Sequence, residues 1–220
     1  MDRHLCALDC GNAPCSDPNR IVNMNIKPAA DHPHRQILVD ILRQFSFQSV
    51  LEIGCGSGVN LYNIKQTFPN VSIYGIDVSS NAIKEARKNL PEGSILEVGD
   101  ASDNFCFPDK SIDIVLSDAC LIYLNQKNFK KALKEAKRVA RVGVIFCEFH
   151  HVNFFVRLAF RFLVGFKHKK YNIYNYEENL KRAGFNNIKI KKLTDKDWPH
   201  STIWKIFGSI IYAIFGKDES

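Results

Sequence analysis

Glu52, Gly54, Gly56 and Gly58 stand at alternating positions in the stretch V-L-E-I-G-C-G-S-G-V-N, residues 50–60. Glycines spaced this way let a backbone turn tightly and leave no side chain between it and a ligand. Cys55 and Ser57 fill the intervening positions. Asp77 follows 23 residues after Gly54 and closes the apolar run S-I-Y-G-I-D. A carboxylate at a strand tip beside such a loop can accept both hydroxyls of a ribose. Asp100 with Ala101, Ser117 with Asp118, and His150 with His151 each close a further apolar run. An imidazole at such an end can take a proton from an acceptor hydroxyl.

The elements that must hold these residues follow from hydrophobic period. Val50, Leu51 and Ile53 make a buried strand, and Leu61, Ile64 and Phe68 repeat at helical spacing after the loop. Strand, glycine loop and helix is the nucleotide-side order of an α/β fold. Upstream, Asp31 is expected to cap a helix with Pro33 in its first turn and Ile37, Leu38, Ile41, Leu42 and Phe45 on one face. His32 and His34, near its start, either face a substrate or are simply exposed. Downstream come a helix over 81–90 capped from Ser79 or Ser80, a short strand over 95–98, a strand over 112–116, and a helix over 129–141. A buried strand over 142–149 follows, then a helix over 176–183 ended by Gly184 and a half-exposed strand over 185–193. Residues 198–207 suit a helical turn. Residues 209–215, β-rich and bounded by glycines, suit a last strand pairing antiparallel inside the sheet.

The glycine loop is not a dinucleotide fingerprint, because the third glycine of G-x-G-x-x-G would fall on Val59. Nor does it carry the Lys-Ser/Thr pair of a P-loop. E-I-G-C-G-S-G, G-I-D, V-G-D-A and S-I-D-I-V-L-S-D, in this order and spacing, instead resemble the motifs of class I S-adenosylmethionine-dependent methyltransferases. The resemblance runs from about residue 33 to residue 215. It implies a Rossmann-like α/β fold: a seven-stranded, mostly parallel sheet with its last strand reversed and helices on both faces. It also implies S-adenosyl-L-methionine as cofactor. Gly54, Cys55, Gly56 and Gly58 would lie at the methionine end, with Glu52 orienting either the loop or the methionine amino group, Asp77 and Val78 at the ribose, Asp100 and Ala101 at adenine. Ser117 and Asp118 would lie at the edge of the fourth strand. Asp113, early in that strand, is expected to be structural. Methyl transfer needs mainly alignment of the acceptor and removal of a proton, and His150, His151 and Tyr123 are the catalytic candidates.

The acceptor expected from these residues is a small molecule, anionic, sugar-like or lipid-linked, methylated at oxygen, with nitrogen as the alternative atom. S-D-A-C at 117–120 differs from the Asn/Asp-Pro-Pro-aromatic signature of enzymes that methylate base amino groups in DNA, and no nucleic-acid module is visible. Alternatives are a non-catalytic S-adenosylmethionine-binding protein, a nicotinamide-linked dehydrogenase and a membrane-associated lipid methyltransferase.

Composition bounds the rest. The 220 residues suit one domain over 31–220 behind an irregular leader over 1–30. Seven cysteines, mostly in core elements, suit a reducing, cytoplasmic protein without a disulfide framework. Cys6, Cys10 and Cys15 near His4 lack the C-x2-C knuckle, so no metal is expected. The net charge of +7 is uneven: residues 1–124 carry ten Lys/Arg against fifteen Asp/Glu, whereas 125–192 carry seventeen against four. The basic half either meets anionic partners or is the solvated face of a lysine-rich helix. Residues 152–170 are apolar nearly all round and basic at one end, too short and charged to span a bilayer. A lid over the substrate is the expectation there, with peripheral membrane contact or a dimer surface as alternatives.

Overall fold

A computed structural model of the chain describes residues 29–163, 171–198 and 202–214. Most of the leader with its three cysteines, residues 164–170 of the apolar segment, and residue 215 of the expected last strand lie outside the described residues.

Helix α1 (Pro33–Leu42) precedes strand β1 (Ser49–Ile53), and α2 (Val59–Thr67) follows the glycine loop. Then come β2 (Ser72–Asp77), α3 (Ser80–Asn89), β3 (Ile95–Val98), β4 (Ile112–Asp118) and a 3-10 turn (Leu121–Tyr123). The second half holds α4 (Gln126–Val139), β5 (Ala140–Phe149), α5 (Phe154–Leu163), α6 (Tyr176–Arg182), β6 (Ile188–Lys192), α7 (Thr202–Phe207) and β7 (Gly208–Ile214). The seven strands form one sheet in the order β3-β2-β1-β4-β5-β7-β6. All pairings are parallel except those of β7, which runs antiparallel to both β5 and β6. The expected reversed last strand is therefore present.

Strand order reverses between β1 and β4, and in open α/β sheets ligands bind in the crevice beyond the strand ends at such a switch. Both faces of the sheet are covered. One apolar layer joins Leu38 and Ile41 of α1, Ile64 of α2 and Ile83 of α3 to the strands. The other joins Phe129, Leu133 and Ala136 of α4 and Leu180 of α6. Strands buried on two faces can be apolar at every position, which is why β1 and β4 show continuous rather than alternating runs.

Two local expectations shift. Residue 32, not Asp31, occupies the N-cap of α1, with Pro33 as first helical residue and no side-chain cap. Proline supplies the helical φ and lacks the N–H that would want a cap. His34 is fully buried, not exposed. Asp113 is structural as expected: its carboxylate accepts from the Gln48 and Ser49 amides and from Arg141, tying the start of β4 to β1 and β5.

Candidate active site at the β1–β4 switch point

The glycine loop leaves β1 with left-handed φ at Gly54 (72°), Gly56 (54°) and Gly58 (84°), a region L side chains rarely adopt. The Gly54 and Cys55 amides both donate to the Ile76 carbonyl, pinning the loop to β2. A Cβ on Gly54 would stand 2.3 Å from the Cys120 Sγ, so packing as well as φ demands glycine there. At Gly56 nothing lies within 4 Å of where a Cβ would stand, so its face opens onto the crevice.

Asp77 sits at the tip of β2, as predicted, and is oriented by two amides. Gly56 N–H donates to its Oδ2 at 2.9 Å and Ser79 N–H to its Oδ1 at 2.8 Å. Val78 follows, half-buried. Asp100, at the end of β3, accepts from the Ser102 amide and hydroxyl at 2.7 and 2.8 Å, which shapes the turn carrying Ala101.

Beneath the loop lies a polar cluster that only part of the prediction anticipated. Glu52 is 1% exposed. Its Oε1 accepts from Asn60 Nδ2 at 2.6 Å, and its Oε2 is buried without a hydrogen-bond partner. The same Asn60 Nδ2 donates to Asp118 Oδ2 at 3.0 Å. Arg35 Nη1 reaches Asp118 Oδ2 at 3.3 Å and also donates to Asn60 Oδ1. His34 Nε2 meets Asp118 Oδ2 at 2.9 Å. Asp118 Oδ1 is likewise buried without a partner, as are Ser57 Oγ in the glycine loop and the Tyr176 hydroxyl elsewhere. His34, Arg35 and Asn60 come from α1 and α2. Among them only His34, as one of a histidine pair near a helix start, gave any signal in the sequence.

Burial pushes the Glu52 carboxyl up to about 8, with the nearby Asp118 charge adding to the shift and the Asn60 bond opposing it. Burial acts the same way on Asp118, but His34, Arg35 and Asn60 outweigh it and hold that carboxyl below the usual range. Two acids of the same cluster are thus in opposite states near neutral pH, Glu52 largely protonated and Asp118 ionised. Burial and the Arg35 charge lower the His34 pKa against the pull of Asp118, favouring a neutral ring. An ionised Asp118 can only accept, so His34 Nε2 carries the hydrogen. His34 Nδ1 then accepts from Nδ1 of His32. Trp198 stacks on His34 with ring centroids 3.9 Å apart. His34, Asp118 and Cys147 offer ligand atoms within 4.8 Å of one another, but the Arg35 guanidinium already supplies a cation at this carboxylate.

Ser117 points the other way along β4. Its hydroxyl is fully buried and donates to Glu148 Oε1 at 2.7 Å. Glu148 also accepts from the amides of Cys120, Leu121 and Ile122, holding the turn after β4. His150 and His151 lie at the end of β5, and each Nδ1 accepts a backbone amide, from Tyr176 and Asn153 respectively. Neutral rings so placed carry their hydrogen on Nε2. Tyr123, in the 3-10 turn, meets Tyr171 edge-on at 5.3 Å. Helix α5 begins four residues after His150, and no helix among the described residues is long and apolar enough to cross a membrane.

Residues 50–143 match a family model described as a methyltransferase domain. The demethylmenaquinone methyltransferase of Tropheryma whipplei is 30% identical over 116 residues, 52% of this chain and 47% of that one. Aklanonic acid methyltransferase DauC of a Streptomyces species is 34% identical over 97 residues, covering 42% of this chain and 44% of that protein. The chain thus spans about half the length of the curated relatives it matches. Among solved structures, the phosphoethanolamine N-methyltransferase 2 of Haemonchus contortus, in complex with S-adenosyl-L-methionine, superposes with a TM-score of 0.62 at 19% identity. That likeness covers 83% of this chain and 52% of the other, and it shows the fold.

Proposed function

We propose that the chain is an S-adenosylmethionine-dependent methyltransferase acting on a small molecule, a reading supported by the match of residues 50–143 to the methyltransferase-domain model. The observation that carries the reading is the pair of partnerless buried acceptors, Glu52 Oε2 and Asp118 Oδ1, beneath the glycine loop. Leaving a buried acceptor unmade costs about 1–3 kcal/mol, and an ammonium group is the donor that would satisfy two carboxylates at once. The cofactor's methionine end carries one. Glu52 bonds Asn60, which favours a role toward that ammonium over one in orienting the loop.

The rest of the crevice fits the same ligand. The open face of Gly56 leaves room for close backbone approach, Asp77 and Val78 flank the ribose position, and Asp100 and Ala101 the adenine position. S-adenosylmethionine, when bound, supplies a methyl group already activated by its positive sulfur. What remains for the protein is to align an acceptor and take up its proton. His34 is fixed by Asp118 on one side and linked to His32 on the other, so a proton accepted at this pair is shared toward a carboxylate. His150 and His151, whose Nδ1 atoms are taken up by backbone amides, keep Nε2 for hydrogen bonding to the acceptor, and Tyr123 is the third candidate for that role.

We favour oxygen as the acceptor atom, on an anionic, sugar-like or lipid-linked molecule, and a small-molecule acceptor over nucleic acid. The names of the relatives, a demethylmenaquinone and an aklanonic acid methyltransferase, support the small-molecule class. Buried Cys55 and Cys147 thiols accord with a reducing compartment such as the cytoplasm. Titration calorimetry against S-adenosylmethionine, its demethylated product and NAD is the first test: binding of the first two and not the third is expected, and the reverse pattern rejects the reading. A labelled-methyl screen against fractionated cell extract then separates an enzyme from a non-catalytic cofactor-binding protein.

A further inference from the structure

Helix α5 leaves the ligand edge of the sheet directly after β5 and buries only one side of itself. Phe160, 3% exposed, seats on Phe149, the last residue of β5, and on Phe207 at the end of α7, with ring centroids 5.9 and 4.9 Å apart. The opposite side carries Phe154 (60% exposed), Phe155 (75%), Leu158 (39%) and Phe162 (58%). At 100° per residue these four fall within an arc of about 100°. Val152 (58% exposed) and Ile206 (50%) lie just before α5 and within α7. Arg157 and Arg161 occupy the flank of this arc. Arg157 donates to the His151 and Val152 carbonyls, fixing the start of the helix, and its guanidinium lies over the Phe154 ring.

We propose that α5 is an interfacial anchor that lays Phe154, Phe155, Leu158 and Phe162 into an anionic membrane surface, so that the methyl acceptor is a lipid or lipid-linked molecule reached from the bilayer. The inference rests on the methyltransferase reading and specifies its substrate class. An apolar aromatic arc with arginines along its flank is what a helix lying in the headgroup plane of an anionic leaflet requires. Charge complementarity points the same way, since residues 125–192 carry seventeen Lys/Arg against four Asp/Glu. The arc is also convex. Phenyl rings that project this far need a deformable surface or a matching apolar groove, and the cleft between α1 and α2 offers a mixed lining, with Ala30 and Val39 among Asp31, Gln36, Asn63 and Gln66. Because Phe160 fastens the helix to the end of β5, the anchor stands at the same end of the sheet as His150 and His151. An acceptor held in the bilayer then reaches His150 and the cluster around Asp118 without crossing bulk water.

The test is co-sedimentation of the full chain with vesicles of phosphatidylcholine and phosphatidylglycerol (3:1), with phosphatidylcholine vesicles as control, and light scattering without lipid. Wild-type protein is expected in the pellet with anionic vesicles, at least tenfold more than with neutral ones. The double variant Phe155→Glu/Phe162→Glu should lose at least tenfold of that partition while binding S-adenosylmethionine unchanged. Arg161→Gln, a milder variant of an exposed residue, should weaken partition about fivefold at low salt. Wild type remaining in the supernatant, or the double variant pelleting as well as wild type, overturns the proposal. So does a concentration-dependent dimer that dissolves in the double variant without vesicle binding, because the arc then belongs to a second copy. Absence of S-adenosylmethionine binding by wild type would strike the methyltransferase reading alone and leave the vesicle result standing.

Discussion

Glu52 and Asp118, at the ends of adjacent parallel strands, share one side-chain amide: Asn60 Nδ2 donates at 2.6 Å to the first and 3.0 Å to the second. Neighbouring buried acids cannot both ionise cheaply, and the protein resolves this asymmetrically. Arg35 and His34 sit against Asp118 and keep it charged, while Glu52, which accepts from the neutral Asn60 amide, holds a proton. The site is therefore one cation short of being doubly ionised. A cationic ligand would complete it.

Binding such a ligand should release a proton. With its pKa at about 8, Glu52 is mostly protonated at pH 7, and an ammonium beside it would pull that value down. Titrations of S-adenosylmethionine at pH 7 in buffers of different ionisation enthalpy should show up to about one proton released per site. Release should fade as the pH rises past 8. Glu52→Gln should abolish the buffer dependence and weaken affinity at least tenfold. The same shift acts on stability: a carboxyl raised from its usual 4.5 to about 8 makes the unliganded fold less stable as pH rises through that window, because the unfolded state loses its proton first. Glu52→Gln should flatten this dependence in urea melts between pH 5 and 8.

Two glycines of the loop should fail for different reasons. Gly56→Ala meets no atom within 4 Å, so the fold loses only the left-handed penalty of about 1–2 kcal/mol. Its methyl group would project into the crevice, and cofactor affinity should drop tenfold or more. Gly54→Ala meets Cys120 Sγ at 2.3 Å on top of the same penalty and should unfold at markedly lower denaturant. Equal stability and unchanged affinity for Gly56→Ala would remove the loop from the ligand site.

How much of this was visible beforehand depended on where each residue's partners lie along the chain. The glycine loop and the strand ending at Asp77 were readable from local composition and spacing, whereas the reversal of β7 came from the resemblance to the family rather than from the residues of 209–215. The cluster around Asp118 is not local: His34 and Asn60 reach it from 84 and 58 positions away. Nothing in a short window marks a histidine beside proline as buried, and Trp198, which stacks over it, arrives from the other end of the fold. Glu148 was equally opaque. Nothing local marks what this acid does, because its acceptors are spent on Ser117 and three amides 26 to 28 positions earlier.

Glu148 should accordingly behave as a structural anchor. Glu148→Ala strands the Ser117 hydroxyl and the amides of Cys120, Leu121 and Ile122 in a buried place, each worth about 1–3 kcal/mol when unpaired. Relaxation will recover part of this, so a net loss of about 3 kcal/mol or more in urea unfolding is expected. Glu148→Gln, which keeps one acceptor oxygen, should lose less. If Glu148→Ala is as stable as wild type, the turn after β4 is held by something other than this carboxylate.

Asp77 serves two ends at once, and a pair of variants separates them. Its carboxylate fixes the loop through Gly56 N–H and the approach to α3 through Ser79 N–H, and in the proposed complex it also receives the ribose. Asp77→Ala removes everything and should weaken S-adenosylmethionine binding 10- to 100-fold, since hydrogen bonds to a charged group are worth about 1.5–3 kcal/mol. Asp77→Asn keeps one oxygen for an amide but turns a donor toward the other position. It should therefore preserve the loop, seen as a melting temperature near wild type, while still losing much of the affinity. Calorimetry and thermal melts on the two variants decide the matter: unchanged affinity in Asp77→Ala would remove Asp77 from the site. Equal losses of stability in both would make it a loop anchor with no direct part in binding.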